Sequence, residues 1–129
     1  MQYSFLTYGH PNITARHKNT LEFTKDKELT KRGDCILGVN SDFDLEQIKR
    51  IVSNHKKIKI TLKSGNMSEE ISADANQGFN DEREIVVRKT GFISKRTLGI
   101  NADKACVDLD KELISLLKNP ESKIYVTIS

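Results

Sequence analysis

Apolar and polar residues alternate along short runs of the chain, with the period of two that is typical of β-strands. In the first half of the chain these runs predict strands at residues 3–8, 12–17, 21–25, 35–39 and 57–62. Between the last two, Leu45, Ile48 and Ile51 recur at helical spacing, and Asp42 or Asp44 is suited to cap that helix. The pattern therefore predicts short strands interrupted by one helix.

Two hexapeptides match position for position: Leu-Gly-Val-Asn-Ser-Asp at 37–42 and Leu-Gly-Ile-Asn-Ala-Asp at 98–103. Each is followed by a helical pattern and a strand. Shorter matches pair residues 13–15 with 71–73, 21–25 with 85–89, 30–32 with 94–96, and 57–62 with 123–128. An ordered series of matches is typical of an internal repeat. We therefore predict copies at about 1–63 and 57–129 that share the strand at 57–63.

The length of 129 residues fits a single domain, residues 1–129. Strands this short must pack as a sandwich or close into a barrel. We therefore expect a mainly β fold: an internally duplicated, pseudo-twofold β-sandwich or barrel of about nine strands. Two short helices, the second ended by Asn119-Pro120, would cover its edges or open ends.

Residues 12–17 and 21–25 form the first predicted hairpin. A three-residue loop between them places Arg16 opposite Glu22 and places His17 on the face that carries the apolar residues. Arg16 and Glu22 are then either a cross-strand ion pair or one wall of an anion-binding pocket. His17 is either a buried, hydrogen-bonded structural histidine or an acid–base group.

Features that occur in only one copy are the candidates for function, because both copies keep what the fold requires. Gly33-Asp34-Cys35 has no counterpart before Leu98, and it is either a turn or a site where Asp34 acts as a base or ligand. The insertion at 104–107 is either an extra helical turn or a loop in which Asp103 and Lys104 face a small molecule.

Composition and charge limit the class of protein. Apolar residues make up 36% and charged residues 30% of the chain, as in globular proteins, and the net charge is only +3. Cys35 and Cys106 are expected to be free thiols. The start of the chain lacks the pattern of a signal peptide, and no apolar run approaches the roughly 20 residues of a membrane span. We expect a cytoplasmic protein that does not bind membranes.

The histidines and lysines admit two interpretations each. His10 and His17 do not have the spacing of a zinc motif, so the sequence assigns neither a metal nor a cofactor. Lys57, Lys59 and Lys63 alternate along one strand, which indicates either an edge strand protected by lysines or a face that binds nucleic acid. Aromatic residues for base stacking are scarce at 6%, so nucleic-acid binding is the second hypothesis.

Three stretches, GHPNITARHKNTLEFT, LTKRGDCILGV and GINADKACVDL, resemble a family of archaeal proteins, number 371 in the domain-of-unknown-function series. The resemblance covers nearly the whole chain. It implies an archaeal, cytosolic, stand-alone domain of mainly β, sandwich-like structure, and it carries no activity. The residues selected from the difference between the copies are among those that resemble the family. The second copy reads Asn101-Ala102-Asp103-Lys104, whereas the first reads Asn40-Ser41-Asp42-Phe43, so any role for a lysine applies only to Lys104.

These observations lead to one main hypothesis: a small-molecule site, enzymatic or purely binding, where the two copies meet. Its ligand would be anionic. The predicted catalytic residues are His10, His17 and Asp34, with the histidines acting either as acid–base groups or as metal ligands. The predicted ligand-binding residues are Arg16, Glu22, Arg32, Asp103 and Lys104.

Overall fold

A computed structural model describes all 129 residues as a single mixed sheet with two helices. The strands are β1 (Tyr3–Tyr8), β2 (Thr20–Thr24), β3 (Ile36–Gly38), β4 (Lys57–Ser64), β5 (Met67–Ala75), β6 (Glu84–Arg88), β7 (Thr97–Ile100) and β8 (Lys123–Ile128). The helices are α1 (Leu45–Asn54) and α2 (Lys111–Leu117), and a short 3-10 turn spans Cys106–Asp108. The prediction of a mainly β fold with two helices is confirmed.

The eight strands follow the order β1-β8-β4-β5-β7-β6-β2-β3. Neighbours are antiparallel except for two parallel pairs, β2 with β3 and β6 with β7. The sheet is not closed. Its edge strands meet at one bridge, in which the N–H groups of Tyr8 and Val39 each donate to the other residue's carbonyl at 2.9 Å.

The core lies against one face of this sheet, under the helices. On β4 the alternation places Ile58, Ile60 and Leu62 inside and the three lysines outside. Helix α1 buries Ile48, Ile51 and Val52, and α2 buries Leu113, Ile114 and Leu117. Asp44 caps α1 by accepting from Glu46 N at 3.0 Å, as one of the two predicted caps. No helix has the length and apolar character needed to cross a bilayer.

The predicted strand at residues 12–17 is wrong, so the sheet has eight strands and the first predicted hairpin does not exist. Both edges of β2 are already occupied, by β6 on one side and β3 on the other. Residues 12–17 form a loop in which Ala15 has a φ of 51°. Ile13 and Ala15 are buried there, and two buried residues at alternate positions imitate a strand pattern.

The predicted pairing of Arg16 with Glu22 is also wrong, because Glu22 lies between Val86 of β6 and Ile36 of β3. The edge-strand interpretation of the lysines is wrong as well: β4 is an interior strand between β8 and β5.

Candidate functional site

A cavity of about 440 Å³ lies where the loops at residues 11–16 and 31–34 approach the end of α2; we call it the loop cavity. Its lining consists of Pro11, Ile13, Thr14, Arg16, Lys31, Asp34 and Lys118. The two loops are joined by the backbone, since the N–H groups of Arg16 and His17 both donate to the Asp34 carbonyl, at 3.0 and 3.2 Å. This junction fixes Arg16 and Asp34 beside each other.

The charges that line the loop cavity are not paired. Arg16, Lys31 and Lys118 are exposed, and none of them lies within 4.0 Å of a carboxylate. Asp34 supplies the only carboxylate of the lining. Three cations and one anion therefore face the cavity, and their field attracts an anion.

Thr14 and Ala15, in the loop at residues 11–16, each lower the stability of the folded protein. Thr14 Oγ1 is buried without a hydrogen-bond partner, a situation that costs roughly 1–3 kcal/mol. The left-handed backbone of Ala15, at a φ of 51°, costs roughly another 1–2 kcal/mol. Unpaired polar atoms and strained backbone concentrate at functional sites in proteins.

The two predicted catalytic histidines close turns beside this loop and do not line the cavity. His10 Nδ1 accepts from Asn12 N at 3.0 Å. His17 Nδ1 accepts from the N–H groups of Asn19 and Thr20, both at 3.1 Å. Both rings therefore act as turn caps with Nδ1 as the acceptor, and His17 is half-buried. A catalytic role for them stays a prediction.

Glu22 belongs to a separate polar cluster on the sheet face opposite the core. Its carboxylate is buried, with Arg96 Nη1 at 3.7 Å and Cys35 Sγ at 3.9 Å, while Arg96 also bonds Glu84 at 2.7 Å. Burial, together with the neighbouring Glu84 carboxylate, raises the pKa of Glu22 to about 8.

The two thiols lie next to this cluster. Burial raises the pKa of Cys35 to about 11, with a further contribution from Glu22, and burial raises the pKa of Cys106 as well. Both cysteines are free, and Cys106 Sγ donates to the Cys35 carbonyl at 3.2 Å. Thiols with raised pKa values are poor nucleophiles, which favours a packing role.

The remaining predicted ligand-binding residues lie outside the loop cavity. Arg32 is exposed. Lys104 donates to Glu69 Oε1 at 3.0 Å and to the Glu70 carbonyl at 2.9 Å, and the bond to Glu69 raises the pKa of Lys104. Asp103 accepts from Ser72 N at 2.9 Å. Of the eight predicted residues, the structure places only Arg16 and Asp34 in the loop cavity.

Asp103 lines a second cavity of about 470 Å³, slightly larger than the loop cavity. Its other lining residues are His55, Lys57, Ile58, Lys59, Ser72, Ala73, Asp74, Asn101 and Ser129. Lys57 and Asn101 each bond Asp74 at 3.1 Å, and these two bonds lower the pKa of Asp74. Lys59 pairs with Glu70 at 3.3 Å. Both lysines of this cavity thus already have acidic partners within the protein.

Several lining residues were not predicted from the sequence. His55 of the second cavity and Thr14, Lys31 and Lys118 of the loop cavity belong to no motif in the sequence. Lys118 reaches the loop cavity only because α2 ends there, more than 80 positions along the chain from the loops. No group of three or more His, Cys, Asp or Glu side chains is placed to hold a metal ion.

Comparison with known proteins agrees with the resemblance noted in the sequence. Residues 5–129 match the family described as domain of unknown function DUF371. The chain is also 33% identical, over 134 aligned positions, to the uncharacterized protein MJ0206 of the archaeon Methanocaldococcus jannaschii, with 99% of each chain covered. Since both matches extend over nearly the whole length, the chain belongs to the DUF371 family.

Proposed function

We propose that this protein binds a small anionic molecule in the loop cavity. The observation that carries the proposal is the convergence of Arg16, Lys31 and Lys118 on one concave site with no carboxylate within 4.0 Å of any of them. Guanidinium and ammonium groups of this kind recognise phosphate and carboxylate groups. A volume of about 440 Å³ is in the range of small-molecule sites.

Electrostatics distinguish the loop cavity from the larger one. In the larger cavity Lys57 and Lys59 already have acidic partners at 3.1 and 3.3 Å, so an anion would have to displace them. In the loop cavity an anion would meet cations that have no partner to lose. It would also bring acceptor oxygens to the neighbourhood of Thr14 Oγ1, which has none.

Titration of the protein with inorganic phosphate and with citrate, followed by amide NMR, tests this proposal. We expect shifts in the amides of residues 11–18 and 31–35, and weaker binding at higher salt. Arg16→Gln and Lys118→Gln should each weaken binding about ten-fold, the cost of one charge-assisted contact. Lys95→Gln, a change at another exposed lysine, is the control. Equal binding by all three variants and the wild type would refute the site.

Nucleic-acid binding by the lysine-rich face of β4 is the weaker alternative. Lys57 and Lys59 are paired with Asp74 and Glu70, which reduces the positive field of this face. The aromatic side chain that this face offers for base stacking is the exposed Tyr125, which lies on β8 opposite Lys63. A salt titration of binding to mixed RNA and DNA decides the matter, because this mode requires an affinity that falls steeply with salt.

We also propose that the chain is an internal duplication, with β1–β4 as one copy and β5–β8 as the other, divided at the Gly65-Asn66 turn. These bounds replace the sequence-based ones, in which the two copies shared the strand at 57–63. Corresponding side-chain bonds support this: Asp42 accepts from Leu6 N at 2.8 Å, and Asp103 accepts from Ser72 N at 2.9 Å. The two parallel pairs shift register at corresponding places, between Glu22 and Phe23 in β2 and between Val86 and Val87 in β6.

The backbone and the turn caps give further support. Asn40 and Asn101, which correspond in the matching hexapeptides, have φ values of 54° and 52°. Asn76 accepts from Gly78 N as His10 does from Asn12 N. Asp81 accepts from the N–H groups two and three positions ahead, as His17 does. In this alignment the histidines correspond to Asn76 and Asp81.

In the same alignment, the Gly33-Asp34-Cys35 turn has a counterpart in the second copy. Ile36 N donates to Gly33 O and Thr97 N donates to Ser94 O, so the turn at 33–35 corresponds to 94–96 and would not be unique to one copy. The Tyr8–Val39 bridge corresponds to the β5–β7 pair, which includes Asp74 and Ile100. The proposal is therefore a pseudo-twofold arrangement in which the Tyr8–Val39 bridge brings the two edges of the sheet together at one point without closing it.

A circular permutant tests the duplication. Ile128 at the end of β8 pairs with Tyr3 at the start of β1, as Ser64 at the end of β4 pairs with Met67 at the start of β5. A peptide bond from Ser129 to Met1 would therefore create a β8–β1 hairpin that corresponds to the β4–β5 hairpin. A chain that begins at Met67 and ends at Ser64 should fold with a thermal midpoint close to that of the original chain. A permutant that stays unfolded would contradict equivalent strand connections.

A further inference from the structure

We infer that the ligand of the loop cavity carries a hydrogen-bond donor, either a hydroxyl or an ammonium group, close to its anionic group. The inference rests on the function proposed above. It assigns the phosphate or carboxylate to Arg16, Lys31 and Lys118, and it assigns the donor to Asp34.

The position of Asp34 leads to this conclusion. Its backbone carbonyl is fixed by the Arg16 and His17 N–H groups, while its carboxylate accepts no hydrogen bond and has no cation within 4.0 Å. A plain anion in the same cavity would be repelled by this carboxylate. A ligand with a hydroxyl or ammonium group would instead supply the donor that Asp34 lacks.

The rest of the lining limits the size and chemistry of the ligand. Ile13 and Pro11 are the apolar residues among the seven, and no aromatic side chain lines the cavity. Nucleotide sites commonly stack the base on an aromatic ring. The lining therefore favours a small polar compound, such as a polyol phosphate or an aminoalkyl phosphate, over a nucleotide.

Three phosphate monoesters of similar size separate the contributions. Propyl phosphate has the anionic group alone, glycerol 3-phosphate adds hydroxyls, and phosphoethanolamine adds an ammonium group. Affinities for each are measured by NMR titration or calorimetry with the wild-type chain, Asp34→Ala and Asp34→Asn. Since the Asp34 carboxylate bonds nothing in the protein, these variants should fold, and their thermal unfolding is recorded as the control.

We expect the wild type to bind glycerol 3-phosphate or phosphoethanolamine at least ten-fold more tightly than propyl phosphate. Asp34→Ala should remove this difference. Asp34→Asn should preserve part of the preference for a hydroxyl but little of a preference for ammonium, because the amide oxygen still accepts but carries no charge.

The outcomes separate this inference from the proposal beneath it. If the three esters bind equally well, or if Asp34→Ala strengthens all of them alike, the role of Asp34 is refuted while anion binding stands. If none binds at millimolar concentration, or if Arg16→Gln leaves every affinity unchanged, both the inference and the proposed site fall.

Discussion

Replacing Glu22 by glutamine should make the stability of this protein less dependent on pH. Glu22 is buried beside Glu84 and Arg96, and its pKa is raised from 4.5 to about 8. The folded protein therefore holds a proton that the unfolded chain releases. Glutamine has nearly the same shape as the protonated acid and cannot ionise, so Glu22→Gln retains the favourable state at every pH.

The sign and size of the effect follow from proton linkage. Since the folded pKa lies above the unfolded one, the stabilisation from protonated Glu22 is complete below pH 4.5 and is lost as pH rises through 8. At about 1.4 kcal/mol for each pH unit, the interval between the two values corresponds to about 5 kcal/mol at most. Arg96 is 44% exposed, and solvent around it screens the ionised carboxylate. We expect about 2–4 kcal/mol.

Urea unfolding of the wild type and Glu22→Gln between pH 5 and pH 9 measures this difference. The free energy of unfolding of the variant should rise relative to that of the wild type as pH rises. Each kcal/mol of this difference corresponds to roughly 3–5 °C in thermal midpoint. Glu28→Gln, a change at an exposed position, is the matched control and should show a constant difference. If the wild type instead became more stable relative to Glu22→Gln as pH rises, the reasoning would be refuted. That result would mean that Glu22 is ionised and paired with Arg96.

Three further substitutions test the packing and the turns. Gly38→Ala should destabilise the fold by roughly 1–3 kcal/mol in urea unfolding, because its Cβ would lie 2.6 Å from Thr7 Cγ2; Gly91→Ala, with 3.7 Å to its nearest neighbour, should be tolerated. His17→Ala should cost about 1 kcal/mol, and His17→Asp should recover most of that loss, unless the ring has a role beyond capping. Asp42→Ala should speed hydrogen exchange at the β1 amide that it caps by about ten-fold; unchanged exchange would show that the bond is not formed in solution.

Most strands could be predicted because their alternation reports burial on one sheet face. On β4, Ile58, Ile60 and Leu62 are buried in the core with the period of two that the sequence shows. The loop at 12–17 shows why the method fails elsewhere. Ile13 and Ala15 are buried at alternate positions by tertiary contacts, so their spacing has no bearing on strand pairing.

The site was less predictable than the fold, because it depends on which distant residues meet. Arg16 and Asp34 both line the loop cavity, but the pairing with Glu22 from which the sequence selected Arg16 does not form. Lys118 could not have been selected, since its place in the cavity depends on where α2 ends relative to two remote loops. Local sequence also could not reveal that Glu22 lies outside the loop cavity, because its surroundings depend on which strands flank β2.

The contacts along β1 limit how another protein could attach to this one. Leu6 donates to the Asp42 carboxylate and accepts from Asp42 N at 3.1 Å, and Tyr8 is engaged by Val39. The backbone groups that an incoming strand would need are thus already in use at these positions. Strand addition at this edge, the route to many peptide complexes and to fibrils, is obstructed. A partner that docks here would have to recognise side chains.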